Sequence, residues 1–332
     1  MKQVLLIVIS FLIISACEKS PSKYIYNKGF IYGTVYSIIY ESPDGKDFED
    51  EINKKLKEYT MIFSTYEKES TISKINNNEA VEIGEEFLSC FKRSMEISEI
   101  TNGAFDITAG PMVNAWGFGP DKKLKMDQAK VDSLTAITGY QKIEMENGEI
   151  IKQNPDMKLD MSAIAKGFTS DLIASFLIEK ACENYLVEIG GEVVAKGVNE
   201  RGNTWTVGIS KPDEDLMVSN SELQAKIKLP DNALATSGNY RNFYEEDGKK
   251  YAHTIDPKTG YPVQHSLLSA TVLAKDCMTA DAFATAFMVM GHETGIELAR
   301  SIPEIEVLFI YSDERGNNQI YMSEGFEEFV VN

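Results

Sequence analysis

The chain has 332 residues, of which 43% are hydrophobic and 25% charged, a composition typical of a folded globular protein rather than a disordered one. Its formal net charge of −18 disfavours a nucleic-acid partner, because phosphate backbones are bound by basic surfaces. An anionic ligand would need a cation within its binding site to offset this charge.

The first residues have the pattern of an export signal. Lys2 gives a positive start, and the apolar run over 4–14 is too short to span a bilayer as a mature helix. The sequence ISAC at 14–17 resembles a bacterial lipobox, which would make Cys17 the lipidated first residue of the mature chain. We therefore predict a lipoprotein signal peptide over 1–16 and an exported protein, anchored on the periplasmic side of a bacterial membrane. A plain secretory signal with a chance cysteine is the alternative.

The first half of the mature chain predicts a tether, a strand and amphipathic helices. Residues 17–28 are polar and contain Pro21, which predicts a short lipidated tether and places the folded domain over 29–332. Aromatic and β-branched residues predict a strand over 30–40. Apolar residues at helical spacing predict helices over 47–63, 85–101 and 127–137. Asn147-Gly148, between two short alternating runs, predicts a tight hairpin.

The second half predicts longer helices separated by strands. Helices are expected over 162–181 and 279–290. Strands are expected over 185–189, 205–209, 223–229, 269–274 and 305–311, with a hairpin at Asp247-Gly248. Because helices and hairpins are interspersed without a regular βαβ alternation, the predicted class is α+β, with mixed or antiparallel sheets and flanking helices.

Three cysteines follow Cys17, namely Cys90, Cys182 and Cys277. An odd, widely spaced set is neither a disulfide framework nor a zinc-binding pattern. All three lie in apolar surroundings, so we expect them to be buried as small hydrophobic side chains.

Four segments have a composition that is unusual for packing alone, and the first covers residues 103–120 (GAFDITAGPMVNAWGFGP). Its glycines allow a backbone to approach a ligand closely, while its aromatic rings offer flat contact surfaces. The alternative is a surface loop, but such a loop rarely holds Phe105, Trp116 and Phe118 together.

The second segment, residues 159–171 (LDMSAIAKGFTSD), opens the helix predicted over 162–181. Asp160 or Ser162 is expected to cap that helix, and a helix N-terminus beside Lys166 is a candidate anion site. Capping alone would explain Asp160, so this signal is weak by itself.

The third segment, residues 235–263, contains ATSGNYRNF and HTIDPKTGYPV. His253, Asp256 and Gly260 fall around a predicted turn. A lone histidine is more often structural than catalytic, but His253 lies in the densest polar motif of a chain with only three histidines.

The fourth segment is ADAFATA at 280–286. Asp281 and Thr285 are four residues apart, so they share one helix face and together offer oxygen ligands to a hard cation such as Mg²⁺. The alternative is a capping aspartate and a threonine bonded back to a helix carbonyl, which spacing alone favours.

Taken together, these segments resemble the FAD:protein FMN transferase family (ApbE-type flavin transferases). The resemblance runs in the same order from about Gly29 to Gly291, through GTVYSI, FSTYEKESTISKIN, GAFDITAGPMVNAWGFGP, LDMSAIAKGF, VEIGGEV, ATSGNY, HTIDPKTG and ADAFATA. Each motif alone is weak evidence, but their joint occurrence is highly specific. The resemblance implies two intimate lobes with the flavin site between them.

The resemblance also implies roles for the matched positions. Tyr66 is implied to cover the flavin ring, and the positions implied to contact the flavin nucleotide are Tyr32, Tyr66, Ala104, Phe105, Asp106, Asp160, Lys166 and Ile255. The implied Mg²⁺ ligands are the backbone oxygen of Ala163, the carboxylate of Asp281 and the hydroxyl of Thr285. His253 matches a histidine thought to assist the acceptor hydroxyl.

Two departures from the family pattern affect these assignments. Family members often have Met-Gly-Thr where this chain has Tyr32-Gly33-Thr34, which makes the implied contact at position 32 aromatic or removes it. Ser162-Ala163 replaces a pair of glycines in the helix motif. A backbone carbonyl ligand tolerates that change, because it needs no particular side chain.

The function implied by the resemblance is Mg²⁺-dependent transfer of FMN from the substrate FAD to a threonine or serine hydroxyl of an acceptor flavoprotein, a subunit of a membrane redox complex. A phosphoester bond forms and AMP leaves. Such chemistry depends on positioning and charge neutralisation, and either His253 or Asp281 could accept the hydroxyl proton. One alternative is a pyrophosphatase that uses the same residues and gives FMN and AMP. Another is a non-catalytic FAD-binding lipoprotein, which would bind FAD through the aromatic loop and would need no metal.

Overall fold

The structure is a computed structural model that describes residues 23–119, 122–212, 223–239, 243–246 and 249–331. The predicted signal peptide, the predicted lipidation site Cys17 and the predicted turn at Asp247-Gly248 lie outside these ranges.

Fourteen strands lie in the described ranges, and eight of them form one sheet. The strands are β1 (Lys23–Ile31), β2 (Thr34–Ser42), β3 (Ile143–Glu146), β4 (Glu149–Lys152), β5 (Tyr185–Ile189), β6 (Glu192–Lys196), β7 (Trp205–Ser210), β8 (Leu223–Leu229), β9 (Ala233–Gly238), β10 (Phe243–Glu246), β11 (Lys249–Ala252), β12 (Leu267–Ala274), β13 (Glu306–Ser312) and β14 (Asn318–Met322). The large sheet has the order β1-β2-β5-β6-β9-β12-β13-β14, and every neighbouring pair is antiparallel. Separate hairpins are formed by β3–β4, β7–β8 and β10–β11.

Helices flank this sheet. In the described chain they are α1 (Glu49–Phe63), α2 (Thr71–Asn76), α3 (Glu85–Ile100), α4 (Gly110–Ala115), α5 (Gln128–Ala136), α6 (Ala165–Glu179), α7 (Cys277–Met290), α8 (His292–Ser301) and α9 (Glu324–Glu327). Over the same ranges, no helix combines the length and the apolar character that crossing a membrane requires.

The large sheet is the central layer of the fold. Alternate residues of a strand face opposite sides, and in β5 Val187 packs into a cluster with α1 and α6. Its neighbour Leu186 faces the other side, where the β7–β8 hairpin and α9 cover the sheet with Trp205, Ile227 and Phe326. The predicted α+β class with antiparallel sheets and flanking helices is confirmed.

Most predicted elements are present within a few residues of their expected bounds, including the Asn147-Gly148 hairpin. The three described cysteines are buried and free, as expected. The helix predicted over 162–181 begins only at Ala165, and neither Asp160 nor Ser162 caps it with a side-chain hydrogen bond. Asp160 instead accepts a hydrogen bond from the Ser162 N–H at 2.9 Å in the turn before the helix.

The prediction of one strand over 30–40 was wrong. Residues 23–42 form a hairpin, because Tyr32 and Gly33 take positive φ angles of 53° and 74° and reverse the chain between β1 and β2. The predicted tether is therefore too long. Residues 23–28 are the first part of β1, where Ile25 is buried and Asn27 bonds Asp47 at 3.0 Å.

Helices α6 and α7 approach each other unusually closely at Gly167. A Cβ atom at this position would lie 2.3 Å from the carbonyl oxygen of Cys277 and 2.8 Å from the Cβ of Asp281. Only a residue without a side chain fits there, so the glycine brings the first turn of α6 against the start of α7.

We predict that Gly167→Ala destabilises the protein by about 2 kcal/mol, because a methyl group there overpacks a backbone contact that cannot relax cheaply. Urea unfolding followed by circular dichroism measures this change. Gly84→Ala is the matched control, since its Cβ would meet only the Glu86 carboxylate at an ordinary 3.4 Å; we expect it to cost less than about 1 kcal/mol. Equal costs for both variants would contradict the proposed constraint.

Candidate functional site

A cavity of about 340 Å³, called the site cavity below, lies where the four unusual segments of the sequence meet. Its walls come from the loop before α4, the start of α6, the segment after β11 and one face of α7. In the described chain it collects ten of the predicted site residues, namely Ala104, Phe105, Asp106, Asp160, Ala163, Lys166, His253, Ile255, Asp281 and Thr285. Distant parts of the sequence are thus brought to one place.

Asp281 lies in the second turn of α7 and is buried, with only 2% of its surface exposed. Its Oδ2 accepts a hydrogen bond of 3.0 Å from the backbone N–H of Gly167 and lies 3.8 Å from the Nζ of Lys166. Burial raises the pKa of this carboxyl, while Lys166 and the Gly167 N–H oppose the rise. Lys166 and the Gly167 N–H thus stabilise the charge of this buried carboxylate.

Lys166 lies between two carboxylates. Its Nζ is 3.2 Å from Oε1 of Glu192 and 3.8 Å from Oδ2 of Asp281, and its side chain keeps 29% of its surface exposed. Burial opposes its charge, but the two carboxylates outweigh that effect and raise the pKa of Lys166 above its ordinary value. Lys166 is therefore an ammonium ion at the wall of the site cavity.

The predicted metal ligands fit a hard cation. Ala163, Asp281 and Thr285 line the same cavity, and Thr285 is 3.3 Å from the Ser237 hydroxyl. A carbonyl, a carboxylate and a hydroxyl are oxygen donors of the type that Mg²⁺ takes, with water and substrate phosphates completing its shell. In the described ranges no group of three or more His, Cys, Asp or Glu side chains gathers as an all-protein metal site.

The position of α7 is fixed by a carboxylate from α6. Both oxygens of Asp171 accept hydrogen bonds of 2.8 Å from the first backbone N–H groups of α7, those of Cys277 and Met278. Asp276 caps the same helix by accepting from the Thr279 N–H at 2.8 Å. Burial raises the pKa of Asp171 to about 7, although the two N–H groups oppose the rise.

Asp106 organises the loop before α4. Its Oδ1 accepts hydrogen bonds from the backbone N–H of Thr108 at 2.8 Å and from the Thr108 hydroxyl at 2.6 Å. Its Oδ2 accepts from the Tyr140 N–H at 2.8 Å. These three bonds occupy both carboxylate oxygens with protein donors. Phe105 is buried in the core with 2% exposure, so this stretch offers the cavity mainly backbone.

His253 lies in the wall of the site cavity, just after β11. Its ring packs edge-on to Phe118 with centroids 6.3 Å apart. The turn that follows is closed by a hydrogen bond of 2.8 Å from the Gly260 N–H to the Asp256 carbonyl, and it is tied to α4 by the Trp116 Nε1–H, which donates to the Gly260 carbonyl at 2.8 Å. The turn after His253 is thereby attached to the end of α4, while the His253 ring contacts Phe118.

Two predicted flavin contacts lie outside the site cavity. Tyr32 is in the β1–β2 turn and donates from its hydroxyl to the Leu56 carbonyl at 3.2 Å, so it packs against α1 instead. Tyr66 is 70% exposed and lines a neighbouring groove of about 630 Å³, which shares Gly110 and Asp160 with the site cavity. Tyr32 therefore contacts α1, whereas Tyr66 lies at the rim of an adjoining surface.

Sequence reasoning missed two residues of this region. Glu192 contacts Lys166, and Ser237 contacts Thr285 from the end of β9. Both belong to motifs that the resemblance already used, VEIGGEV and ATSGNY. The available signal was a glutamate directly after two glycines and before three apolar residues, a position where an acidic side chain needs a buried partner.

Comparisons with known proteins identify a family for this chain. The ApbE family model matches residues 32–309. The chain is 38% identical over 339 aligned positions to the FAD:protein FMN transferase of Vibrio cholerae, covering 99% of each chain. It is 32% identical over 316 positions to the protein of the same name from Escherichia coli, covering 92% of this chain and 88% of the relative.

Solved structures give the same result. The flavin transferase ApbE from Vibrio cholerae is similar with a TM-score of 0.83 and 37% identity, covering 93% of this chain and 100% of the other. The ApbE protein from Thermotoga maritima is similar with a TM-score of 0.81 and 30% identity, also covering 93% of this chain and 100% of the other.

We predict that Asp171→Asn flattens the pH dependence of stability. A carboxyl whose pKa is raised from 3.8 to about 7 on folding stabilises the protein fully below its unfolded value, and that contribution is lost as the pH rises through about 7. The unfolding free energy of the wild type, measured in urea, should therefore fall relative to the variant between about pH 4 and pH 7. Parallel pH profiles for the two proteins would contradict this role of Asp171.

Proposed function

Because the chain belongs to the ApbE family, it is a flavin transferase, and we propose that it moves FMN from FAD to a threonine or serine hydroxyl of an acceptor flavoprotein. In this proposal the reaction depends on Mg²⁺, forms a phosphoester bond and releases AMP. The observation that carries it is the site cavity itself, which gathers a lysine ammonium, a histidine and three oxygen donors in a strongly acidic protein.

The charges of the site cavity suit a pyrophosphate. FAD brings its anionic pyrophosphate into a chain of net charge −18, so binding requires local positive charge. Lys166 supplies one such charge at the cavity wall. Asp281, Thr285 and the carbonyl of Ala163 would hold a Mg²⁺ ion, which when bound neutralises charge on the phosphate oxygens.

The transfer is an exchange of one P–O bond for another. The acceptor hydroxyl oxygen bonds to the FMN-side phosphorus, and the bond from that phosphorus to the bridging oxygen breaks. AMP leaves with the bridging oxygen, and the hydroxyl proton passes to a base. We assign that base to His253, which lines the cavity, because Asp281 is buried and already accepts from the Gly167 N–H.

The experiment that tests this function incubates the protein with FAD, Mg²⁺ and a candidate acceptor flavoprotein. Flavin fluorescence on the acceptor after denaturing electrophoresis reports covalent transfer, and AMP is measured in parallel. Equal amounts of AMP and bound FMN are expected. AMP without labelled acceptor would indicate hydrolysis of FAD instead, and tight FAD binding with neither product would indicate a storage protein.

We predict that Asp281→Asn and His253→Ala fail in different ways. Asp281→Asn keeps a hydrogen-bond acceptor for Gly167 but loses the metal-binding charge, so transfer should fall about 100-fold or more and the apparent Mg²⁺ requirement should rise. His253→Ala should lower kcat by about 10²–10⁴ with little change in that requirement. Asp313→Asn, on an exposed turn, is the control. Wild-type rates in Asp281→Asn, or undiminished transfer in EDTA, would exclude the metal-dependent mechanism.

We also propose that the protein is an exported lipoprotein, held at the periplasmic side of a bacterial membrane through Cys17 and acting on a flavoprotein subunit of a membrane redox complex. The support is the sequence ISAC at 14–17 after a short apolar run. In a bacterial host, Cys17→Ser should move the protein from the detergent phase to the aqueous phase in a phase-partition assay. Retention of the variant in the detergent phase would refute the lipid anchor.

A further inference from the structure

Glu192 is a buried acidic side chain that the proposed reaction leaves unexplained. It is the first residue of β6, directly after the turn at Gly190 and Gly191, and its side chain is only 5% exposed. Oε1 lies 3.2 Å from the Nζ of Lys166. Oε2 is buried, and among the described residues it has no hydrogen-bond partner. Burying a carboxyl oxygen without a hydrogen-bond partner costs free energy, so we expect this side chain to have a role in the site.

The Lys166 ammonium lies at different distances from its two carboxylate neighbours. A free lysine–carboxylate pair closes to about 2.7–2.9 Å. The Nζ of Lys166 is instead 3.8 Å from Oδ2 of Asp281, beyond hydrogen-bond reach, and it lies closer to Glu192 at 3.2 Å. The ammonium thus lies nearer to Glu192 than to Asp281, and it also approaches the Ser162 carbonyl at 3.5 Å.

We propose that Glu192 is a positioning residue that holds the Lys166 ammonium away from Asp281, so that the Asp281 carboxylate stays available to a divalent cation. This inference rests on the proposed metal-dependent function and deepens it. Without Glu192, the Asp281 carboxylate would have to bind both the Lys166 ammonium and the metal ion. With Glu192 present, the ammonium has a carboxylate partner other than Asp281.

The turn before β6 provides the room for this arrangement. A Cβ atom at Gly190 would lie 3.3 Å from Oε2 of Glu192 and 2.8 Å from the Thr34 side chain. Gly190 also has a φ of 68°, a conformation that favours glycine. The absence of a side chain at Gly190 thus leaves room for the Glu192 carboxylate.

The test measures binding of Mn²⁺, in place of Mg²⁺, to the full chain by electron paramagnetic resonance without FAD. In Glu192→Gln, Lys166 closes onto Asp281 and competes with the metal, so Mn²⁺ affinity should fall about tenfold. In a Lys166→Met background no ammonium competes, and Glu192→Gln should change the affinity less than about twofold. A merely electrostatic role of Glu192 would instead weaken Mn²⁺ binding equally in both backgrounds, and that result would overturn the proposal.

Two further proteins complete the test. Ser170→Ala is the matched control, because the Ser170 hydroxyl donates to the backbone carbonyl of Glu192 at 3.3 Å and does not contact its carboxylate; Mn²⁺ affinity should be unchanged. Glu192→Asp keeps the charge on a shorter side chain and should bind Mn²⁺ more tightly than Glu192→Gln, and it replaces that variant in both backgrounds if the glutamine protein does not fold. Wild-type protein that transfers FMN but binds no Mn²⁺ would overturn this inference alone, whereas absence of transfer would refute the function.

Discussion

The site depends on the close contact between α6 and α7 at Gly167. This contact places the Gly167 N–H on the Asp281 carboxylate and sets Lys166, one residue earlier, beside the same group. Asp171 strengthens the contact one turn later by accepting from the first two N–H groups of α7. Gly167 and the capping carboxylate of Asp171 thus act together to hold α6 against α7. Their contact brings the Lys166 ammonium and the buried Asp281 carboxylate to the wall of the site cavity.

The central sheet explains why this contact is stable. Helices α6 and α7 pack on the same face of the large sheet through apolar residues such as Ile173, Leu177 and Phe283, so their relative position is set by the core. The polar groups then occupy the edge of this packing, where the loop before α4 and the segment after β11 close the cavity. The apolar residues of α6 and α7 thus stabilise the packing on the sheet. Polar residues of the same two helices line the site cavity.

Much of this arrangement could be predicted from sequence, and the failures have physical causes. Asp281 and Thr285 share a face because helical spacing requires it, so their common orientation followed from their positions. The β1–β2 turn was missed because Tyr32-Gly33 lacks the Asn-Gly or Asp-Gly pattern that signals such turns. Glu192 was missed because the local signal, a glutamate after two glycines, does not identify its partner Lys166, which lies on another element.

The most direct test of this account is a crystal structure of the protein grown with FAD and Mn²⁺, with the metal located by its anomalous scattering. The account predicts a metal peak bonded to the Asp281 carboxylate, the Thr285 hydroxyl and the Ala163 carbonyl, with the FAD pyrophosphate between that metal and Lys166. A metal bound elsewhere, or a pyrophosphate outside the site cavity, would contradict it.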